Sequence, residues 1–259
     1  CYWLKVWQLP ETGRRSKGKP LINLLEDIRE DERIATVKSV RHFEEEASLI
    51  LVTRLGVIKK IELAHFKNVR RKGIWALTID EGDELIAARE LQPGQQVMLF
   101  THNGMAVRFD EGTVRPMGRM ARGVKGVTLK DEKDYVVGAE VVGGEESILV
   151  VCENGYGKRS AVDDFRQTNR GGVGVRSIIT SERNGLVVGA VSVTDEDSLL
   201  MMSAQGQAVR IRMEDLRVMG RATQGVRLVN LKEGDSLVSI QKIESDGSEE
   251  EEADEESVE

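Results

Sequence analysis

Short apolar runs, separated by glycine-rich or acidic turns, recur along most of this chain. Four of them are alike in length and setting: SLILVTRLG, QVMLFTHNG, SILVVCENG and SLLMMSAQG. A second run follows each of these and begins at the closing glycine: GVIKKIEL, GMAVRFDE, GYGKRSAV and GQAVRIRM. Runs of this length that are rich in Val, Ile and Leu and bounded by Gly, Asp or Asn are typical of β-strands. The pattern therefore predicts a series of β-hairpins.

The hairpins repeat with a period of about fifty residues. The glycines that open the second runs, Gly56, Gly104, Gly155 and Gly206, are 48, 51 and 51 residues apart. The segment CYWLKVWQ fits the same template, with its glycine position falling before Cys1. Each unit also contains a glycine-closed loop and a strand-like run after an acidic or glycine turn. Four strands per unit predict an all-β, propeller-like fold with five blades visible, the first incomplete at its start.

A helical solenoid is the alternative for a repeat of this length. It requires apolar positions spaced by about 3.6 residues over twelve or more positions. Only KPLINLLEDIRED has such a pattern, and it occurs once. The repeat therefore favours strands over helices.

A basic loop closed by glycine recurs in every unit. The closing glycines are Gly18, Gly73, Gly123, Gly174 and Gly225. Four residues earlier stands an arginine in four of the five units: Arg14, Arg119, Arg170 and Arg221. In the second unit Val69 takes this place, and Arg70, Arg71 and Lys72 follow it. The common register indicates one structural position repeated around a disc.

The first copy of this loop, TGRRSKGKP, resembles a nucleotide-binding P-loop. Gly13, Gly18 and Lys19 have the P-loop spacing, but Pro20 stands where Ser or Thr must hold Mg²⁺. A P-loop also would not recur in five degenerate copies. We interpret the match as a by-product of the basic loop, and the NTPase hypothesis would require ATP binding that depends on Lys19.

Basic loops at equivalent places in successive blades predict a positive belt, for which a duplex phosphate backbone is the natural partner. Few aromatic residues stand among the basic ones, Trp75 being expected to pack inward, so stacking on single strands is not favoured. With no recognition helix, binding should tolerate any sequence. The predicted DNA-binding residues are Arg14, Arg15, Lys17, Lys19, Arg70, Arg71, Lys72, Arg115, Arg119, Arg122, Lys125, Arg166, Arg170, Arg176, Arg217, Arg221 and Arg227. The alternative is a set of solvated loops whose charges balance surface carboxylates.

Charge and composition change this picture at one end. The net charge is −7, but residues 245–259 hold nine carboxylates and no basic residue. Without them 37 basic residues face 35 acidic ones. We predict a β domain over residues 1–244 and a disordered tail over 245–259, either solubilising or competing with DNA for the belt. Since the chain begins with Cys1, we also expect it to be a piece of a longer protein.

Other classes of function find no support in the composition. Cys1 and Cys152 form neither a disulfide framework nor a metal-ligand cluster, and Cys152 is interpreted as a buried small hydrophobe. His42, His65 and His102 lack metal-ligand spacing. No run approaches the roughly 18 apolar residues of a membrane span, and no signal peptide opens the chain. A cytoplasmic location is the prediction.

Several phrases resemble the C-terminal DNA-wrapping domain of the bacterial DNA gyrase A protein: YWLKVWQLPE, VMLFTHNGMAVRF, NGYGKRSAVDDF, SERNGLVVGAV and TQGVRLVNL. The resemblance extends to about Glu244. It implies a six-bladed β-pinwheel, in which blades exchange strands, that wraps DNA with positive handedness around its outer edge. The family box, Q-R-R-G-G-K-G, is matched in part by TNRGGVG (Thr168 to Gly174) and TGRRSKG (Thr12 to Gly18). By register the intact box should precede Cys1.

The resemblance also implies what this chain would do in a larger enzyme. It would belong to an A2B2 complex of the gyrase A and gyrase B proteins, near the bacterial nucleoid, which introduces negative supercoils using ATP. The catalytic tyrosine and the sites for ATP and Mg²⁺ lie elsewhere in that family, so Tyr2, Tyr135 and Tyr156 are expected to be packing residues and the chain alone to be inactive. The alternatives are the equivalent C-terminal domain of topoisomerase IV and a propeller that serves as a protein-interaction scaffold.

Overall fold

The computed structural model of this chain describes residues 1–13, 16–26, 28, 32–40, 43, 46–68 and 72–243. The strands are β1 (Ser48–Thr53), β2 (Val57–Glu62), β3 (Leu85–Leu91), β4 (Gln96–Thr101), β5 (Met105–Asp110), β6 (Val124–Lys125), β7 (Val136–Val142), β8 (Ser147–Cys152), β9 (Tyr156–Ala161), β10 (Val175–Arg176), β11 (Val187–Val193), β12 (Ser198–Ser203), β13 (Ala208–Arg212), β14 (Val226–Arg227) and β15 (Leu237–Ile243). Short 3-10 helices cover Val6–Gln8, Leu21–Leu24, Leu63–Phe66, Glu111–Thr113 and Val162–Asp164. The prediction of an all-β fold is confirmed.

Four antiparallel sheets make up the blades. Their strand orders are β3-β1-β2-β6 in blade 1, β7-β4-β5-β10 in blade 2, β11-β8-β9-β14 in blade 3 and β15-β12-β13 in blade 4. A tight turn joins the two middle strands of each blade. Its glycine has a positive φ, for example +85° at Gly56 and +78° at Gly155. That backbone conformation favours glycine and explains the glycine that opens every second run.

Neighbouring blades exchange strands, as the resemblance implied. The strands β6, β10 and β14 each consist of two residues and pair with β2, β5 and β9, which belong to the preceding unit of the sequence. The backbone N–H of Thr168 also donates to the Arg108 carbonyl, and that of Met219 to the Arg159 carbonyl. Each unit is therefore tied to the blade before it.

The hydrophobic core lies between the blades. Ile50 and Ile58 of blade 1 pack in one cluster with Leu99 and Phe109 of blade 2. Two further clusters join blade 2 to blade 3 and blade 3 to blade 4. All six residues of β8 are buried, because both faces of that strand contact neighbouring sheets. This explains why SILVVC is a continuous apolar run rather than an alternating one.

The inner edge strands surround the hub of the molecule. The strands β3, β7, β11 and β15 pack against one another in succession, and their first residues line a shared cavity of about 430 Å³. The opposite edge of each sheet, where β6, β10 and β14 lie, is consequently the outer rim. This distinction between hub and rim positions the candidate site.

The first unit differs from the expected fifth blade. The described residues before Ser48 contain two 3-10 helices and no strand. In the later units, the equivalent of Cys1–Lys5 pairs with the strand that precedes it. Here the N-terminal ammonium donates to the Ile74 carbonyl, and the Ile74 N–H donates to the Cys1 carbonyl. Trp3 packs edge-on against Phe43 beside blade 1. Five units in the sequence thus form four sheets in the described part of the chain, because the described residues of the first unit contact blade 1 without forming a strand ladder.

Candidate nucleic-acid interface

Three of the basic loops run along the outer rim. They span residues 115–125, 166–176 and 217–227, and each ends in one of the exchanged strands β6, β10 and β14. Equivalent positions in the three loops are 51 residues apart. Because each loop is laid on the outer edge of a successive blade, the basic side chains recur at successive stations around the disc. We call this surface, residues 115–125, 166–176 and 217–227, the basic rim.

The glycine that closes each rim loop is required by strand exchange. A Cβ atom on Gly174 would collide with the Ala106 carbonyl oxygen, and one on Gly225 would collide with that of Gly157. Both residues also have a positive φ, +79° and +78°. The loop approaches the preceding blade so closely that only hydrogen fits there. The closing glycine of the basic loops therefore has a structural cause.

Arg170 and Arg221 hold adjacent rim loops together. The Nε and Nη1 groups of Arg170 donate to the carbonyls of Thr113 (2.9 Å) and Lys125 (3.0 Å). The guanidinium of Arg221 makes the same pair of bonds 51 residues later, to Asp164 and Arg176, both at 2.9 Å. A guanidinium has five N–H donors, so three remain on each for another partner. Arg170 and Arg221 thus make structural hydrogen bonds and still have N–H donors with which they could bind an anion.

The other predicted residues of the basic rim are all exposed, and some of them also have partners within the domain. Exposed positions are Arg115, Arg119, Arg122, Lys125, Arg166, Arg176, Arg217 and Arg227. Arg122 forms an ion pair with Asp80, and Arg227 donates to the Tyr156 hydroxyl and the Asn230 side chain. The hydrogen bonds from Arg227 and from Arg183 lower the pKa of Tyr156. The stations 115, 166 and 217 are equivalent and exposed, so they present one cation per blade.

Predicted residues outside this rim are only partly described. Lys17, Lys19 and Lys72 are exposed. Arg14, Arg15, Arg70, Arg71 and the acidic tail lie outside the described residues, and so does Val69 of the second unit.

The P-loop interpretation finds no support in the described residues around Gly18. A P-loop joins a β-strand to an α-helix. Here the flanking elements are 3-10 helices at Val6–Gln8 and Leu21–Leu24. No α-helix begins beside Lys19 in this described stretch, and the 3-10 helix that follows it is only four residues long.

The expectation for Trp75 is wrong. Its side chain is 64% exposed, because its neighbours Ile74 and Ala76 pack against the hydrophobic cluster that contains Leu77, which leaves Trp75 on the solvent side. Tyr156 is buried, as expected. Cys152 is also fully buried, and this burial, with a smaller contribution from the charge of Glu153, raises the pKa of its thiol to about 12.

Sequence reasoning missed a set of cationic clamps between blades. The fourth residue after each turn glycine is basic: Lys60, Arg108, Arg159 and Arg210. The first three contact the next blade, Lys60 through an ion pair with Glu111, whereas Arg210 donates to the Ser198 hydroxyl of its own blade. Arg108 donates to the carbonyls of Val162 (2.7 Å) and Phe165 (3.1 Å) in the next blade. Arg159 is 5% exposed, donates to the Met213 carbonyl at 3.1 Å, and pairs with Asp195. The recurrence of a cation inside an apolar strand was the signal that could have revealed them.

Two buried lysines were also missed. Lys59 and Lys158 occupy the third position after the turn glycine, and both side chains are 0% exposed. Burial lowers the pKa of Lys59. Burial lowers the pKa of Lys158 to about 8, against a smaller raising effect of Asp164, and Arg221 lowers it further. Both lysines donate to carbonyls of the rim loops.

The hub offers a weaker candidate site. The turn residues Arg54, His102 and Glu153 line the 430 Å³ cavity together with Tyr135, on which His102 stacks. In the part of the chain that the structure describes, no group of three or more His, Cys, Asp or Glu residues is placed to hold a metal ion. The mixed charge of this cavity does not select one class of ligand.

Comparison with known proteins assigns the family. The model of the family described as DNA gyrase C-terminal domain, beta-propeller, matches residues 1–41, 47–91, 95–143, 146–194 and 197–244. The chain belongs to this family. The five matched segments correspond to the five units of the repeat, so the predicted resemblance is confirmed.

Gyrase A proteins of several bacteria match nearly the whole chain. The DNA gyrase A protein of Chlamydia muridarum is 64% identical over 94% of the chain, which covers 29% of that relative. The DNA gyrase A protein of Salmonella typhimurium is 43% identical over 93% of the chain, or 27% of the relative. The chain thus spans less than a third of the length of these curated relatives.

Solved structures share the fold of this gyrase domain. A DNA gyrase A C-terminal domain matches with a TM-score of 0.77 and 28% identity, covering 88% of this chain and 76% of the other. A C-terminal domain of DNA topoisomerase IV matches with a TM-score of 0.81 and 27% identity, covering 93% and 76%. The architecture is common to both, whereas the family model and the relatives above are those of gyrase. Among the described residues, no helix is long and apolar enough to cross a membrane.

Proposed function

We propose that this domain binds duplex DNA along its basic rim, bends it and wraps it without sequence specificity. The observation that carries the proposal is the recurrence of exposed arginines at 115, 166 and 217, one on the outer edge of each of three blades. A curved row of cations matches the phosphates of a duplex that follows the edge. The family and the gyrase relatives support the same function.

The energetic cost of bending the duplex determines how many phosphate contacts the domain must make. Smooth bending of a 20–30 bp site by 40–90° costs of order 1–6 kcal/mol. The basic rim must offset this cost through many phosphate contacts, each of which releases counterions. Neutralising about ten phosphates gives a slope of about −9 in log K against log salt concentration. The affinity should accordingly fall steeply with salt.

In the whole protein we propose a role in an ATP-dependent type II topoisomerase, DNA gyrase, assembled from two gyrase A and two gyrase B proteins. The wrapped segment would be presented for strand passage that introduces negative supercoils. The chemistry and the sites for ATP and Mg²⁺ belong to other parts of that enzyme. The contribution of this chain is to bind and orient DNA.

The test is a duplex-binding titration over a range of salt concentrations, with two triple variants. One removes the equivalent rim arginines (R115A, R166A and R217A), and the other removes exposed lysines before the inner strands (K130A, K133A and K232A). The rim variant should lower the magnitude of the slope by about 3, since each phosphate contact contributes about 0.9. The control should leave it unchanged. A nearly flat dependence in the wild type, or equal effects of the two triples, would contradict the proposal and favour a scaffold function.

We also propose that residues 245–259 restrain DNA binding. A tethered chain with nine carboxylates competes for the basic rim at high effective concentration. Deleting these residues should tighten binding, and most strongly at low salt. Equal affinities of the full and shortened chains at low salt would refute the restraint.

A further inference from the structure

Two ammonium groups are buried beneath the outer surface, at the same position of alternate blades. The Nζ atom of Lys59 lies 2.6 Å from the carbonyl oxygens of both Ala76 and Arg119. The Nζ atom of Lys158 lies 2.9 Å from the Gly220 carbonyl oxygen and 3.0 Å from the Ser160 hydroxyl. Arg119 and Gly220 belong to different loops of the basic rim. Each lysine therefore holds a rim peptide from the inside.

These lysines are not needed to build the blades. The equivalent position is Val107 in blade 2 and Val209 in blade 4, so an apolar side chain satisfies the fold there. Within the described residues, neither ammonium forms an ion pair with a carboxylate. A buried cation without a counter-charge is costly, and an apolar replacement is commonly neutral or stabilising. Since an apolar residue would serve the fold at these two positions, we expect the positive charge of each lysine to have a function.

The geometry of the peptide bond supplies that function. In a planar trans peptide, the C=O and the following N–H point in opposite directions. A carbonyl drawn inward by a buried ammonium therefore turns the next N–H outward. For Arg119 this is the N–H of Met120, and for Gly220 it is the N–H of Arg221. No hydrogen bond from either N–H is found within the described part of the chain, and the Met120 side chain is 68% exposed.

We propose that Lys59 and Lys158 are positioning residues that aim the N–H groups of Met120 and Arg221 at phosphates of the bound duplex. Backbone N–H groups are common phosphate ligands in protein–DNA complexes. Arg119 and Arg221 place a guanidinium beside each of these donors. The inference rests on the proposed DNA binding and deepens it: phosphates are anchored at two stations, two blades apart, with a guanidinium and an oriented N–H at each.

The experiment follows the two amides by NMR in the whole chain, labelled with ¹⁵N-Met or ¹⁵N-Arg. A M120L and a R221K variant identify the resonances. On addition of a short duplex, both amide protons should move downfield, as expected when an N–H donates to a phosphate. In K158M the Arg221 amide should lose this shift while the Met120 amide keeps it. In K59M the reverse should hold, so each variant is the control for the other.

The affinity provides a second readout. Each lysine variant should bind the duplex about tenfold more weakly, the equivalent of about 1.4 kcal/mol. Normal duplex binding by the wild type with both amides unmoved would overturn the inference and leave the proposed function standing. Loss of both shifts in either single variant would also overturn it, because that result indicates a general disturbance of the rim. Absence of duplex binding by the wild type would overturn both proposals.

Discussion

The buried ammonium of Lys158 should make the stability of the domain depend on pH in a way that a neutral side chain abolishes. The perturbation is K158M, which keeps most of the side-chain volume and removes the titrating group. Burial lowers the pKa of Lys158 in the folded domain to about 8, from 10.5 in a solvated chain. Below pH 8 the lysine is charged in both states, and above 10.5 it is neutral in both.

The sign and size of the effect follow from proton linkage. Between pH 8 and 10.5 the unfolded chain binds more protons at this site than the folded one, so the free energy of unfolding rises with pH. A difference of about 2.5 pKa units, at about 1.4 kcal/mol per unit, corresponds to about 3.5 kcal/mol in full, of which about 3 kcal/mol falls between pH 7.5 and 10.5. Because Lys158 is buried, this figure is an upper limit on the contribution of the site. Lys59, whose pKa burial also lowers, should behave with the same sign.

The assay is urea unfolding of the wild type, K158M and the exposed control K133M at pH 7.5, 9 and 10.5. The free energy of unfolding of the wild type, relative to that of K158M, should rise by about 3 kcal/mol over this range. K133M should show the same pH dependence as the wild type. The comparison removes the contributions of other titrating groups. Parallel stability curves for the wild type and K158M would show that Lys158 keeps its ordinary pKa, and the burial argument would then be wrong.

Three further predictions concern the clamps, the rim glycines and the buried thiol. R159M should lower the free energy of unfolding by about 2–3 kcal/mol, because the buried Met213 carbonyl of the next blade and the buried Ser147 hydroxyl lose their donor, whereas R212M at an exposed site should change it by less than about 0.5 kcal/mol in denaturant titrations. G174A should cost about 3 kcal/mol, since its Cβ collides with backbone at a positive φ, while G118A, with open space around it, should be neutral in the same assay. In a C1S variant, which removes the exposed thiol, Cys152 should stay unreactive toward an aromatic disulfide reagent until the chain unfolds, because burial raises its thiol pKa to about 12; rapid labelling of native C1S would contradict this.

Repetition made the architecture predictable. The period of about fifty residues and the recurring turn glycines indicated four-stranded blades, because each blade needs the same turns at the same places. The basic loops were likewise visible in the sequence. Their place on the outer edge follows from strand exchange, a non-local pairing that the local pattern does not contain.

The first unit shows the limit of that reasoning. Its segment CYWLKVWQ has the composition of a strand, but a strand requires neighbours, and here the described backbone pairing joins Cys1 to Ile74. Local propensity therefore predicted a blade here, although a strand forms only where the fold supplies neighbouring strands to pair with it.

The cations of the strands were missed for a related reason. Lys59, Lys158 and Arg159 look like surface residues in the sequence, because charged side chains are seldom fully buried. Their acceptors are backbone carbonyls of loops about fifty or sixty residues away. The direction in which a backbone carbonyl points depends on the tertiary fold, so it cannot be predicted from residue types in the sequence.

The path of DNA is tested most directly by photo-cross-linking from single cysteines. The exposed Cys1 is replaced by serine, and a photoactivatable label is attached at R166C or R217C on the basic rim. The matched controls are E145C and E196C, in exposed turns that follow the inner strands β7 and β11. We predict efficient cross-linking to duplex DNA from both rim positions and none from the two controls. Equal cross-linking from all four positions, or cross-linking from E145C and E196C alone, would contradict a duplex that follows the basic rim.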